Sequence, residues 1–464
     1  MSKKIIYLLS LLMALSLVFA GCKKAGTAPG DPPSNEPGKI TPPTDLNGGL
    51  FTDSDKLSQY AEAPVQASPV AKYENNNYMR NPIITVLDDG KTVVVFYEIR
   101  YETPGANNDV ALTGKNVVDI AYTVSTDAGV SFDTSSAITG YVGESKAGVA
   151  QNSHGAPIVF YDKKNSQIIV VASGGIGLSS GTLANGESRI DYSIAKVADL
   201  KSANPNAFSK WTTITDIKGN KGSYTQFGTH SARGTVTTDG TLLLPVTLAT
   251  YDTGNMSSSK FGYLLYVGTA SSGSVSWAKS GNIVNMPSGV KETRIPKGES
   301  ANSYVALAVP SGDSKLYQIE NGSGTPTITD IQAGDGSAGT LVVPNWQGTT
   351  SYDPSKYTTT TGGTPQSILS HVTTTEKNLS IRLVDEKFKT QQSSSYAVEN
   401  KDGETAYKQY SKSSSMDILG DGTIVMIAEG GRIDTANTAM YPQTFYIYFS
   451  RYTQAYIANK TSGK

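Results

Sequence analysis

Three segments of this chain share one design: IITVLDDGKTVVVFYE (83–98), GTVTTDGTLLLPVTLAT (234–250) and SMDILGDGTIVMIAE (415–429). In each, an apolar or alternating run meets Asp-Gly and returns as a second apolar run. Asp-Gly favours the positive backbone dihedrals of a tight hairpin, so each segment is predicted to be two antiparallel strands. Three such units spread along one chain form an internal repeat, which restricts the fold to architectures that tolerate repetition of a small antiparallel sheet. Helical periodicity is confined to the short AKVADLKSAN stretch at 195–204. The 46 glycines and 26 tyrosines suit many short strands with tight turns, and argue against helical bundles and doubly wound sheets.

A second pattern is VSTDAGVSF, Val124 to Phe132. Ser125, Asp127, Gly129, Ser131 and Phe132 follow Ser-x-Asp-x-Gly-x-Ser-aromatic, in which Asp and Gly shape a turn and the aromatic packs between sheets. Degenerate echoes occur in NAFSKW ending at Trp211, ASSGSVSW ending at Trp277 and LVDEKFKT after Leu383. The interval of 66 residues from Trp211 to Trp277 fits four-stranded propeller blades better than the shorter repeats of solenoids. The chain is expected to be all-β.

The N-terminus carries Lys3 and Lys4, an apolar run from Ile5 to Phe19, and Ala20-Gly21-Cys22. This reads as a bacterial lipoprotein leader over residues 1–21, with lipid on Cys22, the chain's single cysteine. No intrachain disulfide is then possible. From Lys23 to about Val65 the sequence is rich in Pro, Gly, Ser and Thr and lacks an apolar period, so residues 22–65 are expected to be a tether. The folded domain is expected at 66–457, with a tail at 458–464. Attachment to the membrane is expected only through the lipid, outside the cytoplasm or at the cell surface. The formal net charge of -1 gives no basic surface for nucleic acid. His154, His230 and His371 lack metal-site spacing, and no Walker loop or serine elbow is present, so no metal or cofactor is expected.

Arg80-Asn81-Pro82 ahead of a hairpin, EIRYE with Arg100 after it, and the Ser125–Phe132 pattern together resemble the opening of the sialidase and trans-sialidase family, whose Asp box is that pattern. Order and spacing agree over roughly residues 70–135, and a looser match runs to about 455. The resemblance implies a six-bladed β-propeller of four-stranded antiparallel blades, acting as a monomer on sialylated glycans or glycoproteins and removing terminal sialic acid. It makes Arg80 the first carboxylate-binding arginine, since a planar guanidinium grips a carboxylate through two parallel hydrogen bonds. It places the acid/base aspartate at Asp109, with Asp119 as the alternative, and the glutamate that orients Arg80 at Glu429. Arg100 is implied as a further substrate-binding residue. Glu292, with Glu299 as runner-up, is the implied base to a tyrosine nucleophile. A tyrosine suits this family because an anionic carboxylate nucleophile would be repelled by the substrate's own carboxylate.

The sequence also departs from the family. Ser413 stands where the nucleophile is expected, leaving Tyr410, or less favourably Tyr407, to take its place. Arg294 and Arg382 are out of register for the second and third arginines, Lys377 occupies the third position, and Ala156 replaces an aspartate before Pro157. Two functions follow: an exo-sialidase anchored at the surface, or a propeller that has lost turnover and binds glycans or proteins.

Overall fold

The computed structural model describes residues 46–47, 49–51, 66–71, 77–101, 117–132, 138–143, 152–178, 187–250, 260–286, 290–310, 316–322, 325–331, 338–342, 367–374, 377–384, 396–397, 407–410, 413–434, 445–453, 456–457 and 460. They are overwhelmingly strand, with a short helix, Val197–Lys201, inside the stretch where helical periodicity was found, and a single turn of helix at Ile217–Asn220.

Six sheets follow one another along the chain. The first runs Asn77–Val86, Val93–Tyr101, Val117–Ser125 and Gly140–Tyr141. The second is His154–Asp162, Gln167–Gly175, Ser188–Lys196 and Thr212–Thr213. In the third, Gln226–Gly228 and Thr235–Val236 both pair with Thr241–Thr250, followed by Lys260–Ser271 and Ser274–Asn285. The fourth is Val290–Ser300, Ser303–Pro310, Leu316–Gly322 and Thr325–Ile331. The fifth is Ala338–Val342, Ser367–Thr374, Lys377–Val384 and Tyr396–Ala397. In the sixth, Tyr407–Tyr410 and Ser414–Ile418 both pair with Ile424–Asp434, followed by Phe445–Tyr452. Its outer strand is Gln66–Ala71, so the two ends of the folded region share one sheet.

Apolar clusters lie between neighbouring sheets. Val95, Tyr97, Val425 and Phe449 join the sixth to the first. Phe96, Tyr122, Val170 and Phe208 join the first to the second. Phe160, Val171, Leu244 and Leu264 join the second to the third, and Leu243, Tyr263, Ile295 and Tyr304 join the third to the fourth. Strands covered on both faces read as continuous apolar runs rather than as alternation, which explains VVVFYE and QIIVVA.

All three Asp-Gly segments connect the first and second strands of their sheets. The tight turns differ from expectation in one respect: Gly90, Gly240 and Gly422 have positive φ, but the preceding aspartates do not. Each Asp instead uses its carboxylate. Asp89 accepts from Thr92 N–H (2.8 Å) and hydroxyl (2.6 Å), Asp421 from the same groups of Thr423 (2.9 and 2.6 Å), and Asp239 from Thr241 N–H (3.1 Å). The Ser125–Phe132 turn is built similarly, with Asp127 accepting from Ser131 N–H (2.9 Å) and hydroxyl (2.6 Å), and Phe132 edge-on to Phe449 at 5.2 Å.

Within the expected tether, Leu46–Asn47 and Leu50–Phe51 pair as a small hairpin. Arg451 of the sixth sheet donates to Gly49 O (2.6 Å) and Thr423 Oγ1 (2.8 Å), pairs with Asp421, and lies over the Phe51 ring.

Candidate functional site

The first strand of the first sheet is interrupted where Arg80, Asn81 and Pro82 stand. Arg80 is opposite Glu98 and Ile83 opposite Phe96, so this strand carries one residue more than its partner. Proline has no N–H for the ladder and is accommodated at such a bulge. Asn81 takes the left-handed conformation (φ 53°), which its short amide side chain tolerates. The second sheet repeats the device: Gly155 pairs with Ser173, Ile158 with Val171, and Ala156 between them has φ 51°, followed by Pro157. The fourth sheet has a shift of equal length, from Arg294 opposite Leu307 to Lys297 opposite Val305, spanning Pro296. Arg80 and Arg294 each stand six residues before the end of their strand, so Arg-x-Pro recurs at one height in the first and fourth sheets.

Around the first bulge lies a buried polar cluster. Arg80 (1% exposed) places Nε 3.1 Å from Glu429 Oε1, and the same oxygen accepts from Asn81 N–H at 2.5 Å. Glu98 (0% exposed) receives Arg100 Nε at 2.8 Å and has Arg100 Nη2 at 2.6 Å, both on Oε2. Its Oε1 accepts from Asn81 Nδ2 (2.9 Å) and from Ala156 N–H (2.6 Å) of the second sheet. Burial pushes the Glu98 carboxyl up, but the Arg100 charge and the hydrogen bonds from Ala156, Asn81 and Arg100 outweigh it and hold the group below its ordinary value. Each arginine therefore has its own carboxylate, which is the condition for burying such charges.

Ser413 is also in this cluster. It is 9% exposed, its hydroxyl donates to Asn81 Oδ1 (3.0 Å), and its carbonyl accepts from Glu429 N–H (2.9 Å). Tyr410 lies on the strand before the break in the sixth sheet, opposite Gly431 and so two residues from Glu429 along the neighbouring strand. Tyr407 is opposite Asp434, further from the break. Glu292 pairs with Val309 on the first strand of the fourth sheet, two residues before Arg294. Lys377 pairs with Thr374 beside the turn joining the second and third strands of the fifth sheet. In an antiparallel meander that turn lies at the end where the first strand enters, the end at which Arg80 stands in the first sheet. Asp119 is a buried strand residue opposite Ile99. Asp109 and Cys22 lie outside the described residues.

Two residues of the cluster, Glu98 and Asn81, were not singled out from sequence. The signal available was Glu98 two positions before Arg100, on the same face of one strand. His154 bonds Asp191 through Nε2 at 2.8 Å and stacks on Trp211 at 4.1 Å, a structural use of that histidine. Among the described residues no cluster of His, Cys, Asp and Glu could hold a metal ion.

No protein-family model and no curated protein matches the sequence. Solved structures do match in fold. Hadza microbial sialidase Hz136 superposes with a TM-score of 0.55 at 13% identity, over 84% of this chain and 68% of its own. Trypanosoma rangeli sialidase, in complex with 2,3-difluorosialic acid as a covalent intermediate, gives 0.54 at 13% identity. This chain aligns over 83% of its own length but spans only 59% of that enzyme. A leech intramolecular trans-sialidase complexed with 2,7-anhydro-Neu5Ac gives 0.54 at 15% identity, over 84% and 69% of the two chains. At these identities the likeness is one of fold, and the chain has a sialidase-like fold.

Proposed function

We propose that the six sheets are the blades of a six-bladed propeller, and that the Arg80 end of its first strands binds the terminal sialic acid, or a related nonulosonic acid, of glycans. The observation that carries this reading is the buried Arg80–Glu429 pair beside the Arg100–Glu98 pair, both at the bulge of the first sheet. Such pairs hold guanidinium groups in fixed orientations before a carboxylate arrives, so less ordering entropy is lost on binding. Arg294 supplies a second arginine from the fourth sheet, because it repeats the bulge and height of Arg80. Lys377 adds charge from the fifth.

The activity proposed for this site is exo-sialidase hydrolysis. Asp109 protonates the leaving oxygen, and Tyr410, with Glu292 as its base, attacks the anomeric carbon, forming a covalent tyrosyl glycoside that water resolves. Tyr410 is preferred over Tyr407 because its register, opposite Gly431, brings it closer to Glu429 along the neighbouring strand. A second reading, a glycan-binding protein without turnover, is favoured by Ser413, whose hydroxyl is committed to Asn81 at the position expected of the nucleophile. The protein is further proposed to be a lipoprotein anchored through Cys22.

Release of fluorophore from a 4-methylumbelliferyl α-sialoside separates the two readings. Hydrolysis abolished by Tyr410→Phe and by Arg80→Ala supports the enzyme. Binding of sialylated glycans without release supports the binder, and absence of both leaves neither standing.

A further inference from the structure

We propose that Glu98 is a positioning residue that locks Arg100 and, through Asn81, the Arg80–Glu429 pair into one unit; the inference deepens the proposed acid-sugar site and rests on that reading for its consequence in binding. Glu98 is fully buried and divides its two oxygens between two tasks. Oε2 faces Arg100, with Nε at 2.8 Å and Nη2 at 2.6 Å. Oε1 receives the Asn81 amide at 2.9 Å and the Ala156 N–H at 2.6 Å. Asn81 carries the constraint onward: its own N–H holds Glu429 Oε1, the atom that Arg80 approaches, and its Oδ1 receives the Ser413 hydroxyl. The path joins the first, second and sixth sheets through side chains at consecutive steps of hydrogen-bond length.

Every group that meets Glu98 along this path is a donor, so only an acceptor with two free oxygens can serve there. An amide cannot. In Glu98→Gln, either the new NH2 opposes the Arg100 guanidinium, or it opposes both Asn81 Nδ2 and Ala156 N–H. One half of the junction must open whichever way the amide turns. Asn81→Gly tests the relay separately, since glycine accepts the left-handed backbone and keeps the N–H toward Glu429 while removing the side chain that ties it to Glu98.

The experiment is an arginine Nε–H correlation spectrum of the full chain, with Arg80 and Arg100 assigned from Arg80→Lys and Arg100→Lys, alongside titration with N-acetylneuraminic acid. The expected result is that Glu98→Gln shifts both resonances, and that Asn81→Gly shifts Arg80. Acid affinity should fall about tenfold in both variants and recover in part in Glu98→Asp, which restores the two acceptors. A residue acting only as a counter-charge behaves in the opposite way: its neutralisation leaves Arg80 in place and tightens binding of an anion. An unmoved Arg80 resonance in Asn81→Gly overturns the proposal even where Glu98→Gln does not fold. Absence of wild-type binding overturns the acid-sugar reading instead, and the spectra still decide the positioning role.

Discussion

Arg80 meets a partner before any ligand does, and this preparation governs what its replacement should cost. Lysine keeps the charge but not the planar fork, so Arg80→Lys is expected to lower affinity for a sialic acid about 10- to 100-fold while leaving thermal stability little changed, as titration and melting together would report. Glu98 has a distinct pH signature. Its carboxyl lies below the ordinary 4.5, so its contribution to stability is complete above that value and is lost as pH falls through the folded-state value. The stability difference between wild type and Glu98→Gln should accordingly be constant from pH 7 to about pH 5 and shrink in more acid solution. Arg80, Arg100 and Glu429 could be picked out in the sequence through the family resemblance, whose motifs stand beside recognisable hairpins. For Glu98 the spacing to Arg100 on one strand face was the only sign, and nothing in the sequence of that strand announces the donor it meets from another sheet, here Ala156 N–H.

The hairpins show why some elements of the repeat were visible and others were not. Sheets one, three and six announce themselves through Asp-Gly, with glycine at positive φ. The second sheet makes its equivalent turn in YDKKNSQ, where Asp162 accepts from Asn165 N–H at 3.2 Å and Ser166 takes the left-handed position at φ 51°. A serine there hides the signal and stores strain. Ser166→Gly should therefore stabilise the protein by up to about 1 kcal/mol in chemical denaturation, the strain relieved exceeding the added chain entropy. Glycine removal should separate two other turns. A Cβ on Gly240 meets nothing nearer than Lys164 Cδ at 3.5 Å, so Gly240→Ala should cost only the backbone strain of about 1–2 kcal/mol. A Cβ on Gly90 would come within 2.8 Å of the Gly420 backbone, so Gly90→Ala should cost more. The same close approach carries a hydrogen bond from Gly420 N–H to Gly90 O (2.8 Å), which fastens the turn of the last sheet to that of the first.

At the scale of the molecule, two arginines hold distant parts of the chain together. Arg233, on the short strand Ala232–Arg233 that pairs in parallel with His154–Asp162 of the second sheet, donates to Met416 O (2.9 Å) and pairs with Asp417 (3.1 Å) of the sixth, while Asp417 also receives Val86 N–H (2.7 Å) of the first. Arg451 clasps the Leu46–Phe51 hairpin to the last sheet through Asp421. Arg451→Met would strand a buried carboxylate, and denaturation should show a loss of about 3–5 kcal/mol, with faster proteolysis at the hairpin. Neither contact was legible in the sequence, since each joins residues far apart in the chain, Gly49 and Arg451 by 402 positions. The all-β character and the repetition were legible because they are local properties of strands and turns. Reception of an acidic sugar by its carboxylate at the proposed site, the Arg80 end of the first strands, can be measured by titrating the protein with N-acetylneuraminic acid and with its methyl ester. The acid is expected to bind, the ester to bind far more weakly, and Arg80→Ala to abolish the difference. Equal binding of acid and ester, or acid binding untouched by Arg80→Ala, would contradict it.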